Sequence, residues 1–107
     1  MAAERVVVSE AAKEDLARQS QWYISVAGER VARRYLEAFQ SVMSVLAQLP
    51  AGGVPRKFRD PRLQGLRSVF MPGAFRVHLV FYRMEEDEVV VFRVLHGMRD
   101  SPRRLAE

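Results

Sequence analysis

Between residues 29 and 49 the apolar positions Val31, Tyr35, Phe39, Val42, Leu46 and Leu49 recur at three- and four-residue spacing, widened by Leu36, Met43 and Val45. That period fits one face of an α-helix and no extended strand. Pro50 and the Ala-Gly-Gly that follows stop the helix. Just upstream, residues 10–27 carry a second stripe of Ala12, Leu16, Tyr23, Ile24 and Ala27. Glu10, Glu14 and Asp15 crowd its first turns, where the positive end of the helix dipole favours acids. Ser9 stands in position to cap this helix and Gly28 breaks it. A connection as short as Gly28 makes the two helices antiparallel neighbours. Their apolar stripes then need a third surface to cover them.

That surface is expected from the rest of the chain. Residues 5–9, RVVVS, read as a short strand. Residues 50–65 form a loop rich in Pro, Gly and Arg, after which 66–71, 75–83 and 89–95 read as three strands. Pro72-Gly73 joins the first two, and the acidic Glu85-Glu86-Asp87-Glu88 joins the last two. Links this short force antiparallel neighbours. Alternation places Phe75, Val77, Leu79 and Phe81 on one face, with Arg76, His78, Val80 and Tyr82 on the other. Val90, Phe92 and Val94 alternate in the same way with Val91, Arg93 and Leu95. The expected architecture is one α+β domain over residues 1–107, ordered β-α-α-β-β-β. Its helical hairpin packs on one face of a small, mainly antiparallel sheet.

Composition excludes several function classes. The chain has no cysteine, so disulfides, Cys-based zinc sites and thiol catalysis are ruled out. Its two histidines, His78 and His96, do not make a His-rich metal site, and no Gly-rich phosphate loop or paired-carboxylate constellation is present. No cofactor is expected. Without a signal-like N-terminus or an apolar run of about 18 residues, a cytoplasmic protein with no membrane association is expected. The net charge is +4. Residues 1–53 are balanced, so the surplus lies in the second half, densest at Arg56, Lys57, Arg59, Arg62 and Arg67 and again at Arg99, Arg103 and Arg104. A basic half favours an anionic partner, either nucleic acid or an acidic protein surface.

The segment VVVFRVLHGMRD, residues 89–100, concentrates the candidate chemistry. A strand ends there in a Gly-punctuated turn that carries His96, Arg99 and Asp100. His96 reads either as a general base or partner contact beside Arg99, or as a strand-end histidine bonded to Asp100 or to backbone. Arg93, if it shares the uncovered sheet face with Arg76 and His78, completes either an anion site or a plain solvated surface. Trp22 and Tyr23, being adjacent, cannot share one helix face, so one is expected in the core and the other partly exposed. The tail SPRRLAE reads as a frayed terminus or as a docked helical turn.

These words, in this order, resemble the ParE branch of the RelE/ParE toxins. The likeness spans nearly the whole chain: VVVSEAAKEDL, WYI in the first helix, RYLEAF in the second, GLRSVFMPGAFRVHLVFYRM, and the VVVFRVLHGMRD ending. The resemblance implies the toxin of a type II toxin–antitoxin pair, of the kind linked to plasmid stabilisation. Such a toxin stalls DNA gyrase and is silenced by a ParD-like antitoxin with a ribbon-helix-helix DNA-binding dimer. Operator DNA is then reached through the antitoxin alone, and a homodimer of the free toxin stays open.

On that reading Arg93, His96, Met98, Arg99, Asp100, Arg103 and Arg104 meet gyrase, Met98 and Leu105 supply apolar contact, and Trp22, Tyr35 and Phe58 meet the antitoxin. The RelE branch instead cleaves ribosome-bound mRNA. Arg76, His96 and Arg99 match its catalytic set by position, but Leu105 stands where a tail aromatic is expected and RSVFMP replaces a lysine-rich segment. A third reading is a non-toxic co-regulator that binds antitoxin alone.

Overall fold

The structure, a computed structural model, describes residues 5–97 and 102–106. Strand β1 (Arg5–Val8) leads into α1 (Glu10–Ala27) and α2 (Glu29–Gln48). Then come β2 (Val54–Pro55), β3 (Arg67–Phe70), β4 (His78–Glu85) and β5 (Glu88–His96). A 3₁₀ turn, Pro102–Ala106, follows. The expected β-α-α-β-β-β order holds, with the two-residue β2 as an addition inside the long basic loop.

Ser9 caps α1 as its position suggested. Its hydroxyl oxygen accepts the Ala12 N–H at 3.0 Å and its hydroxyl donates to the Phe92 carbonyl at 2.8 Å. One short side chain thus starts a helix and ties it to the last strand. Gly28 closes α1 through its N–H on the Ile24 carbonyl and opens α2 at φ +92°, a conformation that disfavours any side chain.

The five strands lie in the order β1-β5-β4-β3-β2. Parallel pairing of β1 with β5 sets Val6 beside Val89 and Val8 beside Val91, and the remaining pairs are antiparallel. Under the helices Tyr35, Phe39, Val42 and Leu46 pack on Val80, Tyr82, Val89, Val91 and Val94.

Three expectations need correction. First, β4 begins at His78 rather than at residue 75, because Gly73–Phe75 winds into a 3₁₀ turn. Second, the sheet is covered on both faces. His78, Val80 and Tyr82 lie on the helix side, and Leu63, Leu66, Phe81, Leu95 and Leu105 form a smaller core on the other. Arg56 lies over the Phe81 ring there, and Arg83 over Phe92. Third, the alternation of β5 breaks. Phe81 pairs with Arg93 and Tyr82 with Val91, which leaves Phe92 as the extra residue of a bulge. Val94 therefore returns to the side of Val91, away from that of Phe92.

Candidate functional site

β1 stops at Val8, so among the described residues the outer edge of β5 beyond Val91 has no strand beside it. Side chains of α1 take the strand's place. The Val94 N–H donates to Asp15 Oδ2 at 3.0 Å, and Gln19 donates to the Val94 carbonyl at 2.8 Å. Buried backbone groups need such partners, and these bonds fix α1 along the sheet edge.

The bulge turns Arg93 toward the same edge. Its Nε and Nη2 meet the two oxygens of Asp15 at 2.8 Å each, with the side chains 6% and 1% exposed. Arg18, on the solvent side, donates to Asp15 Oδ1 at 2.9 Å. Burial pushes the Asp15 carboxyl up, but the bonds from Arg93, the Val94 N–H and Arg18 outweigh it. The group is held below the usual carboxylate range.

Arg93 also donates through Nη1 to the carbonyl of Arg104. The C-terminal 3₁₀ turn is thereby hung on the same ion pair, and Leu105, 1% exposed, plugs it into the second core. Arg103 is left exposed and Arg104 half-buried.

The structure disperses the Arg76, His78 and Arg93 cluster expected on one open face. Arg76 is exposed at the end of the 3₁₀ turn before β4, His78 is buried beneath the helices, and Arg93 is buried on Asp15. His96 is half-buried and pairs across the sheet with His78, their rings 5.5 Å apart. The Gly97 N–H donates to the Val77 carbonyl at 2.7 Å, which brings Arg76 and His96 to the same end of the sheet. Met98, Arg99 and Asp100 lie outside the described residues.

Of the three residues read as antitoxin contacts, Tyr35 is a correction. It is completely buried, with its hydroxyl on Gln19, so it has no surface to offer. Phe58 is half-buried against the second core. Trp22 is 44% exposed while its neighbour Tyr23 turns inward onto His78, matching the split expected of adjacent helical positions. Leu105 is likewise an internal anchor rather than a partner contact.

Sequence reasoning missed Asp15 as a keystone. Its signal was one acid within the apolar stripe of α1, matched by one arginine in the apolar run of β5.

Among the described residues no group of three or more His, Asp or Glu side chains could hold a metal ion. No helix among them is long and apolar enough to cross a membrane.

A family model described as the ParE toxin of the type II toxin–antitoxin system parDE matches residues 6–101. No curated protein sequence is a significant match. Among solved structures, a chain of the chromosomal ParDE toxin–antitoxin system from P. aeruginosa superposes with a TM-score of 0.71 at 17% identity. The match covers 88% of this chain and 96% of that one. A chain of the RelBE2 toxin–antitoxin complex from Mycobacterium tuberculosis gives a TM-score of 0.58 at 22% identity, over 88% and 98% of the two chains.

Proposed function

The chain belongs to the ParE toxin family of type II toxin–antitoxin systems, and from that premise we propose that it binds and inhibits DNA gyrase in the cytoplasm, with no bond-making chemistry of its own. The observation that carries this reading is the C-terminal turn. Leu105 and the Arg93–Arg104 bond anchor the turn on the domain, and Arg103 is exposed on it. A cation carried on an anchored turn suits recognition of an anionic surface at a lower entropy cost than one on a loose tail. Arg93 acts from behind, as the positioning residue of the turn.

Neutralisation by a ParD-like antitoxin is part of the same reading, with Trp22 as the exposed aromatic contact on the helical side. A gyrase supercoiling reaction tests it. The purified protein is expected to arrest supercoiling and accumulate linear DNA, Arg103→Ala to weaken that effect, and antitoxin to abolish it. Undisturbed supercoiling by folded protein would overturn the reading.

The ribonuclease alternative rests on Arg76 and His96 sharing one end of the sheet. New 5′ ends on ribosome-bound transcripts after induction would establish it in place of the gyrase reading.

A further inference from the structure

Between the second half of α1 and the paired ends of β4 and β5 lies a cavity of about 340 Å³. That is within the range of small-ligand sites. Rings make up much of its wall. Trp22 meets Tyr23 edge-on at 5.0 Å, Tyr23 meets His78 at 5.8 Å, and His78 meets His96 at 5.5 Å. Such a wall favours a planar ring as guest.

The charge of the wall selects further. Asp15 serves two guanidiniums, Arg93 inside and Arg18 outside, so this group of three carries one net positive charge. Arg18, with its side chain 54% exposed, brings that charge to the cavity. The described lining contains no carboxylate. An aromatic cage for an ammonium group would need the opposite sign. A nucleotide is disfavoured as well. The Gln19 amide is already engaged by the Val94 carbonyl and the Tyr35 hydroxyl, leaving little to read a base edge. One exposed guanidinium suits one carboxylate better than a run of phosphates.

We propose that this cavity binds a single aromatic ring bearing a carboxylate, the ring against Trp22 and Tyr23 and the carboxylate at Arg18. The guest is either a free aryl-alkanoic acid or an aromatic residue beside an acidic one in a partner protein. The site does not depend on the gyrase reading, because occupancy and supercoiling are measured separately.

Trp22 is the sole tryptophan of the chain, so its emission reports the cavity directly. The intact protein is titrated with 3-phenylpropionate, with its neutral amide, and with the dipeptide acetyl-Phe-Asp-amide. Saturable emission changes are expected, the acid binding about tenfold or more tighter than the amide, as a charge-assisted hydrogen bond requires. Arg18→Gln should bring the acid down to the level of the amide. Because Arg18 also touches Asp15, Val77→Glu provides a second variant. Val77 is a 41% exposed lining residue, and a carboxylate there should repel the acid while sparing the amide. Tighter binding of the dipeptide than of the acid assigns the site to a partner protein, and the reverse assigns it to a small molecule. Equal affinity for acid and amide, or an emission change that never saturates with any of the three, overturns the proposal.

Discussion

Replacing Asp15 with Asn tests the clamp that joins α1, β5 and the C-terminal turn. The substitution keeps the shape and removes the charge. Arg93 is then left buried with its guanidinium facing a neutral amide, and two of the four donors around Asp15 must meet an NH₂ group, because each oxygen accepts two of them. Breaking a buried pair by removing one partner costs about 3–5 kcal/mol. That is a large share of the roughly 5–15 kcal/mol that holds a domain together. At about 5 °C per kcal/mol for a domain near this size, the melting temperature should fall by roughly 15–25 °C.

Urea titration followed by circular dichroism measures the loss as a lower midpoint at unchanged slope. The double variant Asp15→Leu with Arg93→Met should recover part of the loss, because it buries no unpaired charge, while the Val94 N–H and the Arg104 carbonyl lose their partners. The pH dependence has a defined sign. The folded carboxyl titrates below its ordinary value near 3.8, so its contribution is complete above that pH and is lost as pH falls toward the lowered folded value. Wild-type protein should therefore lose stability below about pH 4 more steeply than Asp15→Asn. A loss under about 1 kcal/mol, as an exposed pair would give, or a double variant no more stable than the single one, would refute the reasoning.

Three further outcomes are expected. Ser9→Ala removes both the cap of α1 and the bond to Phe92, and should lower unfolding free energy in urea by about 1–2 kcal/mol. Leu105→Ala empties a buried site in the second core and should cost about 2–5 kcal/mol, whereas Arg103→Ala, at an exposed position, should change stability by less than about 0.5 kcal/mol. The two variants thus separate the anchoring of the turn from what it displays. Gly28→Ala forces a side chain into φ +92° between the helices and should lower the melting temperature, by an amount corresponding to about 1 kcal/mol or more.

The helical hairpin was legible because its cues are local: a 3.6-residue period, a capping serine and a glycine break. What was not legible depends on residues far apart in the chain. The bulge at Phe92 cannot be read from a run of β-branched residues, yet it decides whether Arg93 faces solvent or Asp15. Placing β4 one way up or the other needs knowledge of which face the helices choose. Phe81 and Val80 are each apolar enough for either face, and only the second core, built from a loop and the tail, explains why both are buried. Of the candidate site, Trp22 and Arg103 are exposed. The burial of Tyr35, Arg93 and Leu105 shows that aromatic, basic and apolar residue types alone do not separate contact from scaffold.

The parallel pairing of β1 with β5 gives this fold a built-in order of completion. The first strand waits for nearly the last, with Arg5 opposite Glu88 and Val8 opposite Val91. Asp15 waits for Arg93 across a comparable span. Contacts so distant in sequence form late, after loop closure has been overcome. A translation product cut short before residue 88 would have a helical hairpin with no strand for its leading edge, and an Asp15 that has lost Arg93 and keeps only the exposed Arg18. An interrupted message therefore yields an unfinished protein rather than a smaller working one.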